Sequence, residues 1–498
     1  MDVMINSRVN IQNFGVKNLL QILFFSSLSG FLTGLSFNSP NLSFLIWFSL
    51  IFLLRVLKNN SYPKSFFYSF IAGFIHFLTV VFWIGFVTRL GLFFLLLYLS
   101  LYWAIPSLGI KKLLEKNFNF LLVPLLWVVF EYLRAKWGGF GWALFGYSQF
   151  KNIALIQIVN LLGVWPVSFL IVLFNVVLFN FLEKRKLSQS LLSLLVFLFL
   201  LSSFFFYGYS SLKRPSFKDK SSLVSLVQPN IAQEKKWQTI YYQEIKDKLV
   251  FLLRQAPPGS LVIFPEASWP YSAGKDFAEL KLLAKTFKRD ILMGVVEKSE
   301  ENYFNTAVLI SKQGRFSKYR KLKLVPFGEY IPLRRFLSFI SVVNSFGDIS
   351  AGKEVVLLNY KNLRIATLIC FEDLFPDLVR DFVRKGANVL VNITNDAWFK
   401  GYPQVIQHLQ PAVFRAIEER RYLLRAANTG ISCIISPQGE IEKILRVNNK
   451  KIFVEGLLNG KIFLSQDKTF YSQWPDIFIY IGGILGLVLL VFDKKIKF

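Results

Sequence analysis

Cysteine and histidine are almost missing from this chain, with two of each in 498 residues. Two cysteines exclude a disulfide-stapled scaffold, and two cysteines with two histidines at no ligand spacing offer no metal site. No cofactor is expected either. Charge is scarce at 18% and leans one way: 31 acidic residues stand against 58 lysines and arginines, a net +27. A wholly soluble chain of this length carries more charge than that. Hydrophobic residues make up 53%, with 54 phenylalanines, and the mean hydropathy is +0.44. The basic excess lies in connectors between apolar runs and on helices beside them. It therefore points to a membrane surface and away from nucleic acid.

The apolar runs fill the first two hundred or so residues. "LLQILFFSSLSGFLTGLSF", "LSFLIWFSLIFLL", "SFFYSFIAGFIHFLTVVFWIGFV" and "LGLFFLLLYLSLYWAIPSLGI" come first, then "FLLVPLLWVVFEYL", "IVNLLGVWPVSFLIVLFNVVLFNFL" and "LLSLLVFLFLLSSFFFYGY". Most approach the roughly 20 residues that a spanning helix needs; the second and fifth are short. An eighth, "IFIYIGGILGLVLLVF", lies near the C-terminus. The first run has the look of a signal peptide, but further spans follow it and no small-x-small cleavage site is present, so an anchor is expected. Basic residues cluster in alternate connectors: Arg55, Lys58 and Lys64; Lys111, Lys112 and Lys116; Lys184, Arg185 and Lys186; then Lys494, Lys495 and Lys497 in the tail. The connector with Arg134, Lys136 and Lys151 breaks the alternation. The balance still predicts both termini in the cytoplasm and the long stretch before the eighth run outside. The aromatic "KWGGFGWALFGYSQF" then falls at the outer interface, where tryptophan and tyrosine settle.

That long stretch reads differently. "SLVSLVQPNI", "SLVIFPEAS", "DILMGVVEK", "NTAVLISKQGRF", "LRIATLICFED", "ANVLVNITNDAW" and "ISCIISPQGEIEKIL" are strand-like. "FAELKLLAKTFKR", "LVRDFVRKG" and "IQHLQPAVFRAIEERRYLLRAA" are helix-like. Alternating strands and helices predict an α/β domain with covered sheets. The expected organisation is a membrane bundle of about seven helices over 1–213, an α/β domain over 220–465 and a final spanning helix over 474–492.

Chemistry centres on Cys370, which ends the apolar run "IATLI" and is followed by Glu372 and Asp373. Reactive groups in open-sheet enzymes sit at the carboxyl ends of strands. A cysteine there is also common as buried filler, or as half of a disulfide with Cys433. A thiol needs a base or a positive field. His408 is one candidate, though it falls inside a predicted helix. Glu266, at the end of "SLVIFP", is the other, since burial raises a carboxylate's basicity. "KYRKLKLVPFGEYIP" adds Lys321 and Lys323 on an extended segment before Glu329, and a lysine held by a carboxylate can stabilise an oxyanion. Alternation does not separate the two lysines, because residues two apart share a strand face.

"FPEAS", "KLKLVPFGEY" and "CFED", in that order, resemble the Glu–Lys–Cys triad of the nitrilase, or carbon–nitrogen hydrolase, superfamily. "VNITNDAWF" and "RAANTGIS" are similar to it as well. Within that superfamily "LVPFGEY", "NDAWF", "GYSQ" and the flanking helices resemble the apolipoprotein N-acyltransferase branch, across essentially the whole chain. The resemblance implies a nitrilase-like αββα sandwich, with Glu266 as base, Cys370 as nucleophile and Lys321, favoured by counting back from "LVPFGE", as oxyanion donor. It implies supporting or substrate-binding places for Trp237, Glu329, Phe371 and Glu372; Phe371 stands where the branch often has tyrosine. It further implies a phospholipid acyl donor, a diacylglyceryl-modified apolipoprotein acceptor, a ping-pong route through a thioester, and a multi-pass bacterial inner-membrane protein with a periplasmic catalytic domain. Two rival readings keep parts of the pattern: a membrane-tethered amidase acting on a small soluble amide, and a transporter or scaffold with a degenerate outer domain. Transporters carry charge at a central membrane site, and here Glu131 and His76 are nearly the only candidates.

Overall fold

The computed structural model describes residues 2–213, 221–270, 272–274, 277–326, 328–330, 349–398, 401–465 and 467–495. Phe327 of "LVPFGEY", Phe399 of "NDAWF" and Lys497 of the tail lie outside them. The chain divides into two compact units, 1–211 with 474–498, and 212–473.

The first unit is helical. All the apolar runs form helix: α1 Asp2–Asn38, α2 Ile46–Asn59, α3 Tyr62–Val81, α4 Arg89–Leu113 and α5 Asn119–Lys136. Two short helices follow, α6 Ile153–Ile156 and α7 Val159–Leu162, then α8 Trp165–Leu182 and α9 Leu187–Leu212. Six of the helices are long and apolar enough to cross a membrane. α5 carries Glu131, Arg134 and Lys136, and the run Ile477–Asp493 near the C-terminus is shorter. The predicted sixth span starts later than its apolar run, because Gly163 takes a φ of 70° and Pro166 sits at the start of α8. Arg55 and Lys58, expected in a connector, lie on α2 itself.

Small and polar residues pack these helices, as they must where the surroundings give no hydrophobic drive. A Cβ on Gly30 would meet the Ala72 carbonyl, so α1 and α3 touch backbone to backbone. Asn175 of α8 accepts from Leu50 N at 2.9 Å and donates to Ile46 O at 3.0 Å, tying α8 to α2. In the aromatic connector after α5, Trp137 at its start is 82% exposed. Residues 141–150 fold inward and are buried; Arg134 donates to the carbonyls of Phe140, Trp142 and Ala143, and Glu131 accepts from Phe145 N at 2.8 Å. Glu131 and Arg134 are thereby engaged in holding a loop.

The second unit is a two-sheet α/β sandwich. Strands β1 Ser221–Gln228, β2 Leu261–Ile263, β3 Ser272–Ala273, β4 Asp290–Ser299, β5 Asn302–Ile310 and β6 Phe316–Arg320 alternate with helices α10 Tyr242–Gln255 and α11 Ala278–Phe287. Strands β7 Leu358–Tyr360, β8 Leu363–Ile369 and β9 Val389–Thr394 follow, with helices α12 Pro376–Arg384 and α13 Tyr402–Glu419. Then come β10 Leu423–Ala427, β11 Cys433–Ile435, β12 Ile441–Ile444 and β13 Gly456–Phe463. Short α14 Phe470–Gln473 ends this unit, and α15 Ile477–Lys495 belongs to the first. One sheet runs β13-β1-β2-β4-β5-β6, with β3 on β4; the other runs β12-β11-β10-β9-β8-β7. Each has three parallel strands at its centre, β1-β2-β4 and β10-β9-β8, with antiparallel partners outside them.

Amphipathic α10 and α11 cover the first sheet, burying Leu249, Leu253 and Leu283 against Val262, Phe264 and Ile291. The sheets meet through their other faces, where Gly460 leaves room for Ile434 and Ser432 donates to Gln228 at 2.6 Å. One predicted helix is overturned in part: "RYLLRAA" is not its last turns. The helix ends at Glu419, Arg420 caps it at a φ of 50°, and β10 begins three residues later. β10 lies between β9 and β11 and is buried along its whole length, so it lacks the alternation that marks a half-exposed strand.

Candidate active site

Three strand ends converge in the second unit. β2 stops at Ile263, and Glu266 follows on a turn in which Ala267 takes a φ of 45°. That turn presses against β4: a Cβ on Gly294 would lie 2.6 Å from Glu266 Cα, so only glycine fits there. β6 stops at Arg320, so the lysine pair lies just past the strand. Lys321 N donates to Asn305 O at 2.8 Å and Lys321 O accepts from Gly352 N at 2.7 Å. β8 stops at Ile369. Cys370 then adopts a φ of 56°, in the left-handed region that costs energy for a residue with a Cβ, and starts a tight helical turn to Leu374.

The side chains join up. Lys321 is 1% exposed; its Nζ sits 2.9 Å from the Glu329 carboxylate and 3.5 Å from Glu266 Oε1. Asn305 Nδ2 donates to both acids, at 2.7 Å to Glu266 and 2.9 Å to Glu329. Asn395 N donates to the other Glu266 oxygen at 2.9 Å. Glu372 staples the Cys370 turn to the lysine segment: it accepts from Ile369 N at 2.8 Å on one oxygen, and from Tyr319 OH at 2.9 Å, Leu322 N at 2.8 Å and Lys323 N at 3.1 Å on the other. Asn392 Nδ2 fixes the Cys370 carbonyl at 2.8 Å.

Burial pushes the Cys370 thiol well above its ordinary pKa; the Glu266 charge adds to this, and the Lys321 charge opposes it. The resting thiol is protonated and needs a base. Burial works against the Lys321 charge, but Glu266, Glu329 and Cys370 outweigh it, so the ammonium is held above its ordinary range. Lys321 is a fixed cation, not a proton carrier. The arrangement can therefore remove a thiol proton, and can meet a developing oxyanion with a positive charge.

Residues 29–177 match the family described as the apolipoprotein N-acyltransferase N-terminal domain, and residues 223–453 match carbon-nitrogen hydrolase. An apolipoprotein N-acyltransferase of Geobacter metallireducens is 36% identical over 94% of this chain and 95% of its own length. This chain belongs to the apolipoprotein N-acyltransferase family. A second such relative, of Thermotoga maritima, is 31% identical over 95% of this chain and 94% of its own. A solved CN-hydrolase superfamily protein of Xanthomonas campestris is 20% identical, covering 49% of this chain and 91% of its own, with a TM-score of 0.38.

Glu266, Lys321, Glu329, Cys370 and Glu372 fall within the cluster just described. The Phe371 ring centroid lies 5.2 Å from Lys321 Nζ. Lys323, by contrast, is exposed and faces the Phe375 ring at 5.5 Å. Trp237 does not enter the cluster; it is 51% exposed, and its neighbour Lys236 turns inward instead, donating from Nζ to the Glu266 carbonyl at 3.1 Å. His408 is buried among other charges: Nδ1 lies 2.9 Å from Asp396, Nε2 lies 3.7 Å from Asp373, and Arg425 reaches both acids at 3.3 Å. Arg425 also donates to Asn392 at 2.7 Å, so this group braces the Cys370 turn from behind. Burial raises the Asp396 pKa, but Arg425 and His408 outweigh it and hold it near 2. Cys433 is a free thiol buried in β11, and Cys370 is free too.

Sequence reading passed over Asn305, Asn392, Asn395 and Lys236. The asparagines left a trace, each a polar residue beside or inside an apolar strand run. Lys236 left none, since one lysine in "QEKKWQ" looks like any other.

Proposed function

We propose that the protein moves a fatty acyl chain from a phospholipid to the α-amine of a diacylglyceryl-modified N-terminal cysteine on apolipoproteins, by way of a thioester on Cys370. Glu266 takes the Cys370 proton, and Sγ attacks the ester carbonyl of the lipid. The oxyanion forms beside Lys321. Collapse expels the lysophospholipid, whose alkoxide takes the proton back from Glu266. The α-amine then attacks the thioester, gives its proton to Glu266, and the departing thiolate recovers it. One difficult transfer becomes two easier ones.

The observation that carries this reading is the buried cluster of Glu266, Lys321 and Glu329 beside a cysteine held at a φ of 56°, in a chain of this family. Spanning-type helices in the same chain suit two lipid-bearing substrates. The lysine and arginine asymmetry of the connectors favours a bacterial inner-membrane location with the catalytic unit on the periplasmic side.

The test is intact-protein mass spectrometry. Incubation with phospholipid alone should add one acyl chain at Cys370, and an apolipopeptide with a free α-amine should then remove it. An amidase of small soluble amides would acquire no acyl chain from phospholipid.

A further inference from the structure

Among the described residues, one buried cation of the second unit has no acid within ion-pair distance. Lys236 is 3% exposed; its Nζ donates to the Glu266 main-chain carbonyl at 3.1 Å and stands 5.8 Å from the centroid of the Trp237 ring. Among the described residues no carboxylate reaches it. Lys321, equally buried, sits between two carboxylates. An unpaired buried ammonium opposes folding, and an apolar side chain of the same length would serve packing better. Stability gives no reason for a lysine here.

The charges of the site do give one. Glu266 and Glu329 carry two negative charges against the single positive charge of Lys321. Passing the Cys370 proton to Glu266 moves the surplus onto sulfur without removing it. A second cation beside Glu266 offsets this surplus in both states. We propose that Lys236 is a positioning residue for acyl transfer, whose ammonium, hung on the Glu266 main chain, offsets this surplus charge and favours the Cys370 thiolate. The proposal rests on the thioester reading above.

The titration of Lys236 makes it measurable. Burial lowers its pKa, Glu266 and Cys370 pull it up, and the result is about 8, against 10.5 for an ordinary lysine. Lys236 is therefore charged at neutral pH and loses its charge above about pH 8. Because the folded pKa lies below the unfolded one, the buried charge costs stability below about pH 8, and the cost fades as pH rises toward 10.5.

The experiment uses full-length protein in detergent and two variants, Lys236→Met and Lys236→Arg. Three quantities are read: the pH profile of Cys370 alkylation by iodoacetamide, the rate of thioester formation from labelled phospholipid, and the melting temperature. Lys236 and Cys370 interact electrostatically, and an opposite charge near an acid lowers its pKa by about one unit or more. Lys236→Met should slow both Cys370 alkylation and thioester formation about tenfold at neutral pH, where Lys236 is charged, while its melting temperature stays the same or rises. Lys236→Arg should match the wild-type alkylation rate at neutral pH. Wild-type thioester formation should lose rate above about pH 8, and Lys236→Arg should keep it, because arginine stays charged; this comparison stands even if Lys236→Met fails to fold. An unchanged alkylation rate at neutral pH in Lys236→Met would overturn the proposal and leave Lys236 as a tether for the Glu266 main chain. So would identical behaviour of wild type and Lys236→Arg above pH 8. Acyl label that still accumulates on Cys370→Ala would instead refute the thioester reading itself, whatever Lys236 does.

Discussion

Replacing Lys321 by methionine separates two roles that one ammonium combines. At an effective dielectric of about 20, unit charges about 3 Å apart attract by about 5 kcal/mol. Lys321 has one carboxylate at 2.9 Å and another at 3.5 Å. Desolvation offsets much of that attraction, and removing one partner of a buried pair costs about 3–5 kcal/mol. For a unit of this size that is a fall in melting temperature of about 10 °C. The catalytic loss is separate: an oxyanion donor is worth about two to three orders of magnitude in rate. The double variant Lys321→Met/Glu329→Gln removes the nearer of the two stranded charges as well. It should recover part of the melting temperature and none of the rate. Thermal unfolding followed by tryptophan fluorescence gives the first quantity. Thioester build-up from phospholipid, then its discharge on an apolipopeptide, gives the second. Both half-reactions pass through an oxyanion, so both should slow in the single and the double variant. Recovery of rate in the double variant would refute the argument, because Lys321 would then serve only to neutralise the acids. Lys323→Ala is the companion control and should slow neither half-reaction much, since its ammonium is exposed and faces Phe375.

Three further outcomes are expected. Cys370→Ala should abolish acyl transfer without lowering the melting temperature, because alanine bears the same backbone angle; Cys433→Ala should keep activity and lose about 1 kcal/mol of stability, as read from denaturant midpoints. Glu418 and Glu419 are both 1% exposed, and burial pushes their pKa values up to about 8 and about 7. With folded pKa values above the unfolded ones, they contribute stability below about pH 4.5 that is lost as pH rises through about 7 to 8, so the melting temperature should fall between pH 5 and pH 8.5, and Glu418→Gln/Glu419→Gln should flatten that slope. Reporter fusions after residue 210 and at residue 498 should report opposite sides of the membrane; identical answers would mean the spans are miscounted.

The helical half was legible because apolar length is a loud signal: every apolar run became helix. The edges were less legible. Gly163 and Pro166 cut the sixth run, and the effect was hidden because neither residue interrupts its hydrophobicity. In the α/β unit the strands β1, β2, β4, β5, β8 and β9 followed from their apolar runs. β10 did not, because a strand buried on both faces has no period of two, and "RYLLRAA" continues the composition of the helix before it. The aromatic connector after α5 hid its packing for a different reason. Its aromatics suit an interface, and only the contacts of Arg134 and Glu131 show that residues 141–150 are drawn inward.

The site itself was legible as residue types at strand ends, and illegible as roles. Glu266, Glu329 and Glu372 are three glutamates near one thiol, and sequence spacing ranks none of them. Their donors do. Glu372 accepts four hydrogen bonds, three of them from main-chain amides that set the Cys370 turn and the lysine segment; protonating it would loosen the frame it holds. Burial nonetheless lifts its pKa to about 7, so it holds that frame near the edge of its charged range. Glu329 is committed at 2.9 Å to Lys321 and at 2.9 Å to Val325 N, which makes it the anchor that keeps the lysine in place. Glu266 has the longer lysine contact, 3.5 Å, and is the carboxylate whose charge bears most on the Cys370 thiol. Of the three it is the one whose protonation leaves both the Glu329 anchor on Lys321 and the Glu372 frame in place, which is why we propose Glu266 as the base.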